Sequence, residues 1–233
     1  MSGHPGAHPG PLAFVEDLDR PELSDDERHH LARVRRLRVG EPMTVADGRG
    51  GWRTAAFVDG GVLTDLGPRE QEPAPEPELA VGFALVKGDK PELVVQKLTE
   101  RGIDRIIPFR AERSVVRWDD AKAAKAHDRL VSVARSAAAQ CHRARLPVVE
   151  STATLADLIG RPGAALADRT GLAPSLAHPL LLVGPEGGWD PAERASVPSV
   201  ALGPHVLRAE TAAVTAGALL AALRVRLVAP IGD

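Results

Sequence analysis

The chain has 233 residues, 44% of them hydrophobic and 26% charged, with a net charge of −2. That length can bury one large core or two modest ones, and the balance excludes both wholesale disorder and a polycation. The longest uncharged apolar run, Ala212 to Leu223, is too short to span a bilayer; no secretory signal is visible; and the single cysteine, Cys141, excludes an internal disulfide or a multi-cysteine zinc site.

Residues 1–10 are Gly, Pro and His with little to pack, and are expected to form a loose leader. Ser24-Asp25-Asp26-Glu27 reads as a capping box that opens a helix through about Arg36. Met43–Ala46, Trp52–Val58 and Val62–Leu66 read as strands, separated by Asp-Gly hairpin turns at Asp47-Gly48 and Asp59-Gly60. A small, mostly β module over residues 1–70 follows from these signals. Gly67–Glu78 holds four prolines and four glutamates in twelve residues, the composition of a stiff linker.

From residue 79 to 233 the rhythm is alternating strand and helix. Strands are expected at Leu79–Val86, Ile103–Phe109, Ala164–Ala167, Leu180–Val183 and Val200–Leu202. Helices are expected from Pro91 to Arg101 with Gly102 as the stop, from Asp119 to Gln140, after the Asp190-Pro191 cap, and from Thr211 to Val228. The class is α/β with a largely parallel sheet, whose ligands bind outside the carboxyl ends of the strands.

Charge is unevenly placed. Residues 28–38 carry five arginines and two histidines and no acid, and residues 129–145 carry four arginines and no acid. Segregation of this kind suits a polyanionic partner, although a solvated helix face explains it equally well. The phosphate loop of P-loop proteins, the G-x-G-x-x-G dinucleotide fingerprint, the G-x-S-x-G elbow and the H-E-x-x-H zinc motif are all missing from the sequence. Two glycine-bearing loops remain, each after an apolar strand. Leu182-Val183-Gly184-Pro185-Glu186-Gly187-Gly188 could bring backbone close to a ligand or simply form a tight turn. Leu202-Gly203-Pro204 runs through Leu207-Arg208-Ala209-Glu210 to Thr211, which can cap the last helix. Arg208 and Glu210 could also be no more than a surface ion pair.

These two loops, with Ala212 after Thr211, resemble the RsmE family of 16S ribosomal RNA uridine N3-methyltransferases, of the SPOUT class. The resemblance extends to His30-Leu31-Ala32-Arg33-Val34-Arg35-Arg36, to Lys90, Lys97, Glu100 and Gly102, and to Arg135–Cys141 with Arg143 and Pro147. It implies an N-terminal PUA-like β-barrel, a C-terminal SPOUT α/β domain with a trefoil knot, bound S-adenosyl-L-methionine, a homodimer, and a cytoplasmic enzyme acting on the small ribosomal subunit without membrane or metal. The implied product is the m3U1498 modification of 16S rRNA. The cofactor residues so implied are Leu182, Val183, Gly184, Glu186, Gly187, Gly188, Leu202, Gly203, Leu207, Arg208, Thr211 and Ala212. The start of the chain departs from the family, because Leu12–Val15 follows a Gly/Pro/His stretch with no arginine.

Methylation at N3 requires loss of the imide proton and in-line attack on a sulfonium methyl, and neither step needs a metal. The protein must orient the reactants and stabilise charge developing on the uracil oxygens. N3 lies on the pairing edge, so the base must be unpaired or flipped out. Arg208 and Arg143 suit the developing charge, and Glu186 or Glu210 could accept the proton. Gln140 could read a uracil edge, and His30, Arg33 and Arg36 are expected at the RNA. A non-catalytic RNA-binding assembly protein, or a methyltransferase for another RNA nucleotide, are the alternatives.

Overall fold

A computed structural model describes residues 4–8, 10–60, 62–85, 90–114 and 119–229, apart from the side chains of Ala7 and Asp120. Contacts divide the chain into two units, Met1–Ala74 with Arg135–Leu146, and Pro75–Ala134 with Pro147–Asp233.

The first unit is built on a four-stranded sheet in the order β1-β2-β3-β4: β1 (Leu12–Phe14), β2 (Pro42–Ala46), β3 (Gly51–Ala56) and β4 (Glu70–Gln71). β1 runs parallel to β2, and the other pairs are antiparallel. The β2–β3 turn is held by Asp47, whose Oδ1 accepts from Arg49 N at 2.7 Å and Gly51 N at 2.9 Å, with Gly48 and Gly50 at φ of 74° and 100°. Alternate strand residues face opposite sides, as the two-residue period of a strand requires. Ala13, Met43, Val45 and Ala55 pack with Leu31, Phe57 and Leu63 on one side. Leu12, Phe14, Ala46 and Trp52 pack with Ala138 and Ala144 on the other. The end of the long helix α3 (Asp120–Gln140) and the turn after it therefore help to cover this second apolar face, against which His8 also lies on Trp52. The expectation of an unbroken second module from 79 to 233 thus meets a division in which residues 135–146 group with the first.

Local differences from the sequence reading have local causes. The helix expected through Arg36 ends as α1 (Asp25–His29) and continues as a π-helical turn over His30–Val34, and Arg36 then takes φ 56°. Ser24 caps α1 by accepting from Glu27 N, but Glu27 returns its carboxylate to the Ser24 hydroxyl at 3.1 Å and not to the backbone. Val62 and Thr64 make only single bridges, to Glu22 and Ala56, so the third expected strand is not continuous. Within the expected linker, Glu70–Gln71 pairs with β3. Val86, the expected end of its strand, lies outside the described residues.

The second unit is a parallel sheet. β5 (Ala80–Ala84), β6 (Arg105–Arg110), β7 (Val148–Val149), β9 (Ala164–Leu172), β10 (Leu180–Val183) and β11 (Ser199–Val200) lie in the order β11-β9-β10-β5-β6-β7, and β8 (Ala153–Thr154) also pairs with β6. Every pairing is parallel. Both faces are buried, as near-continuous apolar strands require. Val81, Phe83, Ile106, Leu181 and Val183 pack with α2 (Lys90–Glu100), α3 and α6 (Ala209–Arg224). Ala80, Ile107, Phe109, Leu180 and Leu182 face Trp189 and α4 (Leu155–Ile159), which Thr154 and Asp157 cap reciprocally. On α6, a Cβ at Gly217 would collide with Leu98 of α2, so glycine lets the two helices meet. β10 follows β9 in the chain and is inserted between β9 and β5.

Candidate functional site

Because the strands are parallel, the carboxyl ends of β10, β11, β5 and β6 share one edge of the second unit. The two glycine loops leave from that edge, and α2 and α6 begin there.

In the first loop, Gly184 lies against the indole of Trp189, and a Cβ there would come 2.9 Å from the ring. Trp189 is buried, stacks on Phe109 with centroids 6.2 Å apart, and donates from Nε1 to Ala167 O at 3.0 Å. Glycine at 184 is therefore required by packing within the protein. Gly188 needs its glycine for a φ of 70°, and its N–H closes the turn on Pro185 O at 2.9 Å. A Cβ at Gly187 would meet Arg113 at ordinary contact, 3.4 Å. Asp190 and Glu193 form the capping box of α5 (Pro191–Arg194), as the Asp-Pro pair predicts. Leu182 and Val183 are fully buried in the sheet, so only their backbones can serve a ligand.

The second loop is open. Gly203 has φ 139° with nothing near a built Cβ, Val206 and Arg208 are exposed, and Leu202 packs partly against the core. Among the described residues, no backbone N–H from Leu202 to Arg208 donates a hydrogen bond within the chain. A row of such donors must be met by water or a ligand. The last helix starts two residues earlier than expected, at Ala209. Its N-cap is Arg208, which makes no side-chain cap bond, and Thr211 lies within the first turn and does not cap. Ala212 lies on the half-buried side of this turn.

The structure brings together Glu186, Glu210 and one residue outside the expected site set, Lys90. The Lys90 ammonium donates to Glu186 Oε1 at 3.5 Å and stands 3.3 Å from Glu210 Oε2. Glu186 is exposed, whereas the Glu210 side chain is only 14% exposed. The backbone N–H of Glu210 itself holds its carboxyl below the usual range, helped by Lys90 and the charge of Arg208 against the opposing effect of burial. An anion in the first turn of α6 is also favoured by the helix dipole. Arg208 forms no ion pair with Glu210; the partner of Glu210 is Lys90. Arg113, also unforeseen, reaches Gly187 O at 3.5 Å and Asp190 Oδ2 at 3.4 Å. Lys90 is among the residues that carry the family resemblance, which gives it no role in the site, and Arg113 sits in no local motif that marks it.

The remaining expected residues belong to the first unit. His30, Arg33, Arg35, Arg36 and Arg38 are exposed, and among the described residues none of the four arginines pairs with an acid. The other acid-free stretch is engaged internally. Arg129 pairs with Glu92 at 2.8 Å. Arg135 donates to Phe14 O at 2.9 Å and Glu27 Oε1 at 3.0 Å, and Arg145 donates to Glu72 O at 3.0 Å. Gln140 is exposed at the end of α3, and Arg143 is half-buried, close enough to Glu72 to lower its carboxyl against the larger, opposite effect of burial. Cys141 is half-buried, its thiol directed at Ala138 O at 3.6 Å.

An RNA methyltransferase domain model matches residues 72–221, and an RNA methyltransferase PUA domain model matches residues 23–61. The chain is 34% identical to ribosomal RNA small subunit methyltransferase E of Mycobacterium tuberculosis, covering 91% of this chain and 89% of that protein. It is similar to the putative methyltransferase Lpg2936 of Legionella pneumophila, solved with bound SAM, at 26% identity and a TM-score of 0.79, covering 91% and 96% of the two chains. It is also similar to the ribosomal RNA small subunit methyltransferase E of Neisseria gonorrhoeae bound to S-adenosyl methionine, at 26% identity and a TM-score of 0.72, covering 91% and 97%.

The packing of the first loop separates two glycines. Gly184→Ala forces the Trp189 ring aside, so its melting temperature should fall and its tryptophan emission should shift to longer wavelength. Gly187→Ala should leave both unchanged. Equal emission spectra for the two variants would show that Gly184 is not under the indole.

Proposed function

The chain belongs to the RNA methyltransferase family that includes the ribosomal RNA small subunit methyltransferases E, and we propose that it methylates N3 of a uridine in 16S rRNA, at the position of m3U1498, using S-adenosyl-L-methionine. The observation that carries this reading is the convergence, at the carboxyl edge of the second unit, of an open loop with unpaired backbone N–H groups and two carboxylates.

The residues fit the cofactor. The free backbone groups of Leu202–Arg208 suit an uncharged heteroaromatic ring with several acceptors. Glu186 and Glu210 suit a ligand carrying a sulfonium and an ammonium. Gly184, Gly187 and Gly188 shape the facing loop; Leu182, Val183, Leu202, Leu207, Thr211 and Ala212 complete the set. When bound, the cofactor supplies a methyl group made electrophilic by the attached sulfonium.

The chain's own residues supply the rest. Arg208, exposed and without an ion pair, donates to the uracil oxygen on which charge builds as N3 attacks. Glu186, exposed to solvent, accepts the imide proton and passes it on. Glu210 is poorly suited to that step, because a carboxyl held below its usual range is a weaker base; it remains an anion that balances the cationic donor. Arg33 and Arg36, with His30, bind RNA phosphates from the first unit, and Gln140 and Arg143 stand at the end of α3 beside the same sheet. A homodimer is supported by the exposed Val225, Leu227 and Val228 after α6. No helix of the described residues is long and apolar enough to cross a membrane, and we assign the enzyme to the cytoplasm, with its ribosomal substrate.

Nucleoside mass spectrometry tests the activity directly. Small subunits from a strain lacking this modification, incubated with the protein and S-adenosyl-L-methionine, should gain 3-methyluridine. A methyl group found only on ribose, or none, would overturn the assignment. Arg208→Ala should lower kcat and kcat/KM together by about a hundredfold with KM for RNA nearly unchanged, and lysine should not fully restore the rate, since a point charge lacks the planar fork of donors. Replacing Arg33 and Arg36 by alanine should reduce the slope of log K against log salt by about 0.9 per lost contact, or about 0.7 on single strands. An unchanged slope would mean that these arginines are merely solvated.

A further inference from the structure

Lys90 lies in none of the glycine loops, yet among the described residues its ammonium is the one group that touches both acids of the site. It opens α2 and reaches Glu186 on the loop after β10 and Glu210 in the first turn of α6. The Lys90 side chain is only 34% exposed, so its charge is less screened than that of a free surface lysine. One Glu210 carboxylate oxygen, Oε2, is buried and accepts no hydrogen bond of good geometry, so the nearby ammonium is what offsets its charge. The acid in the first turn of α2, Glu92, is held by Arg129 and does not compete for the lysine.

We propose that Lys90 is a positioning residue, a single cation bridging Glu186 and Glu210 so that the loop after β10 and the start of α6 present their carboxylates in fixed relation to the reactants. The inference rests on the methyltransferase reading above. Three elements distant in the chain meet at this one nitrogen, so removing it frees two carboxylates at once and leaves them to repel each other. Among the described residues, the groups facing Glu210 are its own backbone N–H, Lys90 from α2, the charge of Arg208 two residues before it and, across the shared lysine, Glu186. Loss of Lys90 removes one of the two cations that favour the ionised form, so Glu210 must titrate at higher pH. Arg208 cannot take over, because it forms no ion pair with Glu210 and is exposed.

The test uses the full-length protein with Lys90→Met and Lys90→Arg. Carboxyl carbon NMR, with no substrate or cofactor present, follows the titration of Glu186 and Glu210. The methionine variant should titrate Glu210 at higher pH than the parent, and the arginine variant should stay close to the parent. In single-turnover methylation of RNA the methionine variant should be slower by about tenfold to a hundredfold, the usual cost of misplaced reacting groups. Its acid limb should move to higher pH, and arginine should recover much of the rate. Lys90→Gln carries the same expectation should the methionine variant fail to fold, and unfolding of both would overturn the proposal in favour of a purely structural lysine. A Glu210 titration that does not move, or full parental rate in Lys90→Met, would also overturn it. Failure of the parent protein to methylate any RNA would count against the function itself, which the titration does not depend on.

Discussion

A parallel sheet buried on both faces can offer chemistry only at its ends, and the second unit is organised by that constraint. Val81, Phe83, Leu181 and Val183 are committed to one core and Ala80, Leu180 and Leu182 to the other, so no side chain of these strands is free to act on a ligand. Parallel pairing places every strand terminus of one kind along one edge. The loops that leave this edge combine a fixed base with exposed polar groups. The insertion of β10 between β5 and β9 brings the loop after β10 to the middle of the edge, within reach of the start of α2.

Within that edge the two loops are different kinds of object. The loop after β10 is rigid by construction. Gly184 lies under Trp189, Trp189 is stacked on Phe109 and bonded to Ala167 O, and the α5 capping box closes the far end. The loop after β11 has a glycine at φ 139° and backbone donors without partners in the chain. One loop offers a fixed wall and the other offers hydrogen-bonding groups. Lys90 joins the wall to the start of α6 by charge, where packing does not.

The first unit shows the same economy of surfaces. This four-stranded sheet is apolar on both faces, and the chain before residue 75 packs over one of them and lays His8 against Trp52, 5.1 Å between ring centroids, on the second. Ala138 and Ala144 pack on that second face, and Arg135 lies 5.1 Å over the Phe14 ring while bonding Glu27. Much of the positive charge in residues 129–145 therefore has an internal use, whereas the arginines of residues 33–38 are exposed and, among the described residues, pair with no acid.

Legible in the sequence alone are the class of each half, the hairpin turn at Asp47-Gly48, the helix caps at Ser24 and Asp190, and the two glycine loops that follow apolar strands. Each of these depends on residues within a few positions of one another: Asp47 bonding Arg49 and Gly51, or Asp190 and Glu193 bonding one another's backbone. Only the tertiary structure decided that residues 135–146 serve the first unit, that Gly184 is glycine because of a tryptophan, and that Glu210 is met by Lys90 and not by its neighbour Arg208. The reason is one of range. Periodicity and capping act along the chain and are written in it, whereas an ammonium that meets a carboxylate 96 residues away is placed by strand order, which no local pattern records.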